Sequence, residues 1–487
     1  MPKTIKNVFS EITSFENIHR AYLNARRDKR YRAEILDFSA HLVDNLHHIQ
    51  KRLQAGDFQP GAYREFYIYE PKCRLIMAQP FEDRVIQWAF YQVLNPRFVR
   101  GYITDSYACV PGRGQISAVE RLYYWLKLVD RPNNTPCYPV STVLRILSEA
   151  GWQSGQDDGK LAVWTHPGFR EIMLNATAEK ISVSDLQAIS RKAKIEFPDV
   201  PDCPKWFYLK LDISKYFYRI SHEVALREFN RKVSDKQVQA WMKATVCNNN
   251  RNFGLPAGMR PEEVPRDERI PDRGMPVGSL SSQMLANLNL NPLDQYAKRE
   301  LGIKYYIRYM DDVIILSDDK QQLKAWKDTL EHFINERLML DLNNKVCIRP
   351  ISLGMEFCGF RLWSNHIKLR KSTALRMRRK LRALMEDYRT GEITLDRAKL
   401  TINAYDALLS HCNSYSLRKR IFGEYSETEW TEGWFHLKRN SDTKESDELN
   451  CTPEVRQYDM LKLTEGVQFS CPKEYQSRNT PVNLSSW

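Results

Sequence analysis

Two short apolar stretches, Tyr305 to Tyr309 and Val313-Ile314-Ile315-Leu316, flank Met310-Asp311-Asp312. Apolar runs of this length read as strands, so the segment predicts a hairpin with two carboxylates at its tip. Asp-Asp is also an ordinary turn dipeptide. An exposed turn, however, has no need of Tyr309-Met310 before it and Val313-Ile314 after it. Carboxylates at a sheet edge can hold a metal ion, and in-line phosphoryl transfer by two metal ions needs at least two, from separate chain segments. Asp212 is the natural second contributor, because it ends the apolar strand Phe207-Tyr208-Leu209-Lys210-Leu211.

The chain has 487 residues, enough for about three ordinary domains. Hydrophobic residues make up 42% and charged residues 27%, which excludes a collagen-like, low-complexity or wholly disordered protein. No apolar run is long enough to span a bilayer. Met1 to Thr13 is polar and mixed in charge, unlike a secretory signal, so a cytoplasmic protein without a membrane partner is expected. The ten cysteines never approach closer than Cys347 and Cys358, so neither a zinc ribbon nor a disulfide framework is expected.

Net charge is +13, and its distribution says more than its total. Residues 361–422 hold 15 basic and 5 acidic residues, whereas residues 423–487 hold 7 basic and 12 acidic ones. A further basic cluster, Arg26, Arg27, Lys29, Arg30 and Arg32, lies near the start. Solvated helix faces would account for such runs if charge were the only clue.

Along the chain, the first 60 residues read as helices, with Ile35, Leu36, Phe38, Leu42, Val43 and Leu46 at helical spacing. Tyr67-Ile68-Tyr69 and Arg74-Leu75-Ile76-Met77 predict strand–turn–strand. Met377, Leu381, Leu384, Met385 and Tyr388 form one apolar helix stripe, with Arg378, Arg379 and Arg382 largely off it. Gly254-Leu255-Pro256-Ala257-Gly258 echoes Gly274-Met275-Pro276-Val277-Gly278 across a Pro- and charge-rich loop.

In this order, several blocks resemble those of the reverse transcriptases, over roughly residues 60–127 and 205–420. They are Lys72 with Arg74, Ser106-Tyr107-Ala108 with Gly112 to Gly114, Leu211-Asp212 through Phe217, and Gly274 to Gly278 with Ser282-Gln283. Tyr309 to Asp312, Leu342-Asn343 with Lys345, and Phe357-Cys358-Gly359-Phe360 complete the set. The resemblance implies an α+β, right-hand polymerase with fingers, palm and thumb. Its divisions would be a helical N-terminal region (1–60), fingers (61–127), an insertion (128–204), a palm (205–350), a primer grip with basic helical thumb (351–422) and an acidic C-terminal tail (423–487).

It also implies roles. Asp212, Asp311 and Asp312 would be catalytic, with Asp212, Ile213 and Asp311 on two Mg²⁺ ions, for which Mn²⁺ could substitute. Lys72, Arg74, Phe217, Gly278, Gln283 and Lys345 would bind the nucleotide, Phe217 by excluding a 2′-hydroxyl. Tyr309, Met310, Cys358, Gly359, Arg378, Arg379 and Arg382 would contact primer and template. The partners implied are an RNA template, dNTPs and a DNA product, with room for a homo-oligomer or an accessory protein.

Val277-Gly278-Ser279-Leu280-Ser281-Ser282-Gln283 and His411-Cys412-Asn413-Ser414-Tyr415 resemble the diversity-generating retroelements and related bacterial enzymes. The surplus between Gly114 and Asp212 reads as a small αββα module: a helix around Val143 to Ala150, strands at Leu161–Trp164 and Ile172–Leu174, and a helix from Ser184. It faintly resembles a HicA-type, double-stranded-RNA-binding-like fold. The reading that results is an RNA-directed DNA polymerase of a bacterial defence system, templated by a structured noncoding RNA. The alternatives are a diversity-generating retroelement enzyme, untemplated DNA synthesis at the same site, and an RNA-binding protein with a relic palm.

Overall fold

The strand ending at Asp212 and the hairpin around Asp311 join one sheet in the computed structural model, which describes residues 4–69, 73–130, 137–157, 162–175, 178–200, 206–247, 252–256 and 258–422. The expected acidic tail, residues 423–487, lies outside them.

Helices α1 (Phe9–Ile12), α2 (Phe15–Ala25), α3 (Ala33–Ala40) and α4 (Leu42–Ala55) come first. The stripe expected from Ile35 to Leu46 is broken at His41. Ile35 and Leu46 are buried, whereas Leu36 and Val43 are turned to solvent. An antiparallel ribbon follows, β1 (Arg64–Ile68) with β2 (Arg74–Ala78), then α5 (Phe81–Val99) packed along α2, and α6 (Gln115–Val129).

The next segment comprises β3 (Cys137–Pro139), α7 (Val140–Glu149), β4 (Gln153–Asp157), β5 (Ala162–Thr165), β6 (Ile172–Leu174), β7 (Lys180–Ser182) and α8 (Val183–Ala193). The expected αββα order is thus corrected. Three antiparallel strands, β4-β5-β6, lie between the helices, and β3 pairs separately with β7. β4 escapes sequence reading because Gln153-Ser154-Gly155-Gln156-Asp157 has no apolar alternation; pairing with β5 makes it a strand. Trp152, Trp164, Ile172, Leu147 and Leu186 give this segment a core of its own.

The remaining chain builds the central sheet and its flanks: β8 (Phe207–Asp212), α9 (Tyr216–Arg219), α10 (His222–Lys232), α11 (Lys236–Val246), α12 (Leu280–Gln295), β9 (Tyr305–Tyr309), β10 (Asp312–Ser317), α13 (Lys320–Leu338) and β11 (Cys347–Pro350). A three-stranded meander follows, β12 (Met355–Phe357), β13 (Phe360–Leu362) and β14 (Ile367–Leu369), then α14 (Lys371–Arg389), α15 (Leu395–Ser410) and α16 (Tyr415–Phe422).

The central sheet is antiparallel in the order β11-β8-β10-β9. Side chains alternate between its faces. Leu209, Leu211, Val313 and Ile315 join one core with α10, α12 and α13. Tyr208, Ile314 and Leu316 join a second, with α6, the β12–β14 meander and α14. The continuation of that second face, Lys210, Asp212 and Asp312, is only half-buried. The sheet therefore ends in an acidic edge beside the meander. No helix among the described residues is long and apolar enough to cross a membrane.

Candidate active site

Strand register sets the acidic edge. Asp312 and Asp212 are cross-strand partners at the ends of β10 and β8. Asp311 sits in the two-residue turn that joins β9 to β10, where Tyr309 pairs with Asp312. Met310, the other turn residue, has a left-handed φ of 54°. The Ile213 N–H donates to the Asp311 carbonyl at 3.4 Å, so the main chain of one acidic segment adjoins that of the other. Asn343 brackets Asp212 from the far side: its side-chain amide donates to Asp212 Oδ2 at 3.1 Å and its N–H to the Asp212 carbonyl at 2.7 Å. Lys210, two residues before Asp212 on the same face, pairs with Asp312 Oδ1 at 3.3 Å and donates to the Glu356 carbonyl. Asp312 is thereby partly neutralised by a neighbouring ammonium.

Among the described residues, no three His, Cys, Asp or Glu side chains gather into a metal-holding group. Two or three carboxylates at an open edge, with oxygen donors only, still fit Mg²⁺. That ion keeps several waters and is typically held by one or two carboxylates plus substrate phosphates. The donor chemistry therefore accommodates the cation, with Asp311 in the turn and Asp212 at the end of the neighbouring strand.

Beside this edge the β1–β2 ribbon meets the segment that follows Asp212. The Leu75 N–H donates to Tyr218 Oη at 3.2 Å, which ties β2 to the segment after Asp212. The Met77 N–H reaches the Val277 carbonyl, and the Met275 N–H the Phe217 carbonyl at 2.7 Å. Arg74, Phe217 and Gly278 are thus drawn to one region, with Arg74 and Gly278 exposed and Phe217 half-buried. Gly274 cannot be replaced without strain: its φ is +81°, and a Cβ there would lie 2.7 Å from the Phe253 backbone. The two echoing Gly-Pro segments are packed against each other at this point. Gln283 is half-buried in the first turn of α12, and Lys345 is exposed beyond Asn343. Lys72 lies outside the described residues.

The meander faces the acidic edge with its tightest turn. Cys358 (φ 46°) and Gly359 (φ 80°) connect the paired residues Phe357 and Phe360, a two-residue hairpin with both central residues left-handed. The Gln115 side-chain amide donates to the Cys358 carbonyl and fixes this turn to α6. The Tyr309 ring meets the edge of Phe357 at 6.4 Å. Burial pushes the Cys358 thiol well above its usual pKa, with the Asp312 carboxylate adding to the rise. On α14, Met377 and Leu381 are buried, Arg379 and Arg382 are exposed, and Arg378 is half-buried. Asn413 holds the meander to the helices, because its Oδ1 accepts from the Ile367 N–H at 2.9 Å and its N–H donates to the Ile367 carbonyl.

Sequence reading did not single out Lys210, Gln115 or Arg308. The i−2 spacing of Lys210 from Asp212 on one strand face was the available signal. Nothing local marks Gln115, whose partner is far along the chain.

Comparison with known proteins covers part of this region. Residues 182–362 match the family model described as reverse transcriptase (RNA-dependent DNA polymerase). Protein YkfC of Escherichia coli (strain K12) is 24% identical over 205 residues, 35% of this chain and 51% of that protein, so the match spans about half the length of this curated relative. Two solved structures align at low TM-scores. A chain of a partial Cas6-RT-Cas1–Cas2 complex gives 0.31 at 15% identity, covering 69% of this chain and 43% of that one. Telomerase from Candida albicans, in complex with a fragment of telomeric RNA, gives 0.30 at 11% identity, covering 78% and 60%. At these scores the likeness carries no residue-level correspondence.

Proposed function

The chain carries a reverse transcriptase domain at residues 182–362, and from that premise we propose that it is an RNA-directed DNA polymerase of a bacterial defence system, working on an associated noncoding RNA. The observation that carries the polymerase reading is the register that sets Asp212 opposite Asp312 with Asp311 in the adjoining turn. In this reading the central sheet is the palm, the β1–β2 ribbon belongs to the fingers, and α14–α16 form the thumb. Asp212 and Asp311 would hold two Mg²⁺ ions, which when bound supply charge stabilisation for in-line phosphoryl transfer. Asn343 orients the Asp212 carboxylate, and Lys210 restrains Asp312. Lys72 and Arg74 would draw the triphosphate of a dNTP by charge, and the Phe217 ring would exclude a 2′-hydroxyl. The Cys358-Gly359 turn would steady the primer end, while Arg379 and Arg382 meet backbone phosphates.

The defence assignment rests on resemblance, that of a bacterial-type reverse transcriptase carrying an inserted segment, which here has a core of its own. A second reading, a diversity-generating retroelement enzyme, is favoured by the form of Val277 to Gln283. Purifying the chain from its native host with bound nucleic acid, and sequencing RNA and DNA together, tests both. A discrete structured RNA with complementary DNA is the expected result. DNA of simple sequence without matching RNA would refute templated synthesis, and copies of a repeat beside a variable-protein gene would favour the retroelement. The Asp311→Ala, Asp312→Ala double variant should yield no DNA.

A further inference from the structure

The largest fully buried side chain among the described residues is a cation, and it sits three residues before Asp311. Arg308 is 0% exposed, as is its partner Asp294 on α12. All five guanidinium N–H groups are used. Nε donates to Asp294 Oδ1 at 2.7 Å and Nη2 to Asp294 Oδ2 at 2.7 Å, a bidentate pair. Nη2 also donates to Ser106 Oγ at 3.0 Å, and Nη1 to Asn287 Oδ1 at 3.2 Å. The fifth bond runs from Nη1 to the Met310 carbonyl at 3.0 Å. Tyr306 Oη donates to Asp294 Oδ1 at 2.8 Å. The Arg308 backbone is fixed as well, by its N–H to the Asp105 carbonyl and its carbonyl to the Tyr107 N–H.

Four of these five bonds tie the guanidinium to α12 and to the segment around Ser106. The remaining one grips the residue that has a side chain yet takes a left-handed φ immediately before Asp311. Burying an ion pair is weak as a source of stability, since apolar residues of similar volume often do as well. A device of this kind is better explained by where it holds the backbone. A lysine could not reproduce it, because its three donors radiate from one point whereas these five acceptors surround a planar fork.

We propose that Arg308, locked to Asp294, is a positioning residue that fixes the Met310 carbonyl and so sets where the Asp311 carboxylate stands at the metal-holding edge. The inference rests on the polymerase reading for its kinetic consequences but not for its binding consequence. The experiment therefore pairs Mn²⁺ binding in the presence of dTTP, by electron paramagnetic resonance, with dTTP addition to oligo(dT) on poly(rA). Two variants are compared with the full wild-type chain: Arg308→Lys, and the apolar replacement Arg308→Met with Asp294→Leu and Tyr306→Phe. Thermal unfolding establishes that each is folded.

In both, Mn²⁺ affinity should fall about tenfold and kcat about 100-fold or more, with the dTTP KM held within about threefold. A purely structural role would lower the thermal midpoint and leave this split unmade. Either variant folding cooperatively with Mn²⁺ affinity and kcat within about threefold of wild type overturns the proposal. So does a wild-type chain that binds no Mn²⁺. If the apolar variant does not fold, Arg308→Lys decides. A wild-type chain that binds Mn²⁺ but extends no primer counts against the polymerase reading alone, and Mn²⁺ binding then decides this one.

Discussion

Asn343 holds Asp212 by two bonds of different kinds, and an alanine substitution removes only one of them. In Asn343→Ala the backbone N–H still reaches the Asp212 carbonyl at 2.7 Å, so the strand end keeps its place. The side-chain amide that donates to Asp212 Oδ2 at 3.1 Å is lost. A hydrogen bond to a charged group contributes about 1.5–3 kcal/mol. Asp212 and Asn343 are both half-buried, so water replaces much of that in the resting protein, and folding stability should change by less than about 1 kcal/mol. If the bond instead orients the carboxylate for reaction, its full value enters the barrier. At about 1.4 kcal/mol per decade this predicts a rate about 10- to 150-fold slower. Single-turnover addition of one dNTP to a primer on RNA, at saturating Mg²⁺, measures that rate directly. Asn343→Asp sharpens the test, because a like charge about 4 Å away costs up to about 4 kcal/mol at an effective dielectric of about 20. It should be slower still and should demand more Mg²⁺. A folded Asn343→Ala protein with a rate within about threefold of wild type would refute the claim that Asn343 orients Asp212.

Three further outcomes follow from the same geometry. Burial raises the Asp83 carboxyl from 3.8 to about 6, against the opposing hydrogen bond from the Gly61 N–H. Its folded-state value lies above that of the unfolded chain, so its contribution to stability is fully present below about pH 4 and is lost as pH rises through about 6. Asp83→Asn should therefore gain about 3 kcal/mol over wild type at pH 8 and almost nothing at pH 4, as read by urea unfolding at both. Phe217→Ala should raise ribonucleotide incorporation relative to deoxynucleotide by about tenfold or more in primer extension, with deoxynucleotide addition less affected. Arg379→Ser with Arg382→Ser should flatten the slope of log affinity against log salt by about one unit per lost phosphate contact, measured by primer–template binding across a salt series.

The elements that sequence reading recovered are those whose signal is local. Tyr305 to Leu316 carries its hairpin in the alternation of apolar runs and turn residues, and the β8 strand likewise declares itself before Asp212. The stripe of α14 is readable because Met377 and Leu381 recur at helical spacing and both are buried. β4 carries no such signal and exists through its neighbour β5. The break at His41 was equally hidden, since an apolar pattern in phase over two short helices is indistinguishable from one in a single long helix.

The parts of the candidate site that were illegible share one physical cause. An acid at a strand end is visible in one dimension, but the groups that hold it come from wherever the fold brings a donor. Asn343, legible as part of a block but not as a partner of Asp212, reaches it from 131 residues away, Gln115 reaches Cys358 from 243, and Arg308 reaches Ser106 across 202. Arg308 carries no local signal of its burial, because nothing in Ile307-Arg308-Tyr309 shows what covers the arginine. β9 is covered on both faces, and the position is tolerable for a charge only because Asp294, a helix away, supplies a carboxylate of matching geometry. Chemistry-bearing residues can thus be proposed from spacing alone, whereas the residues that aim them become visible only once the chain has folded.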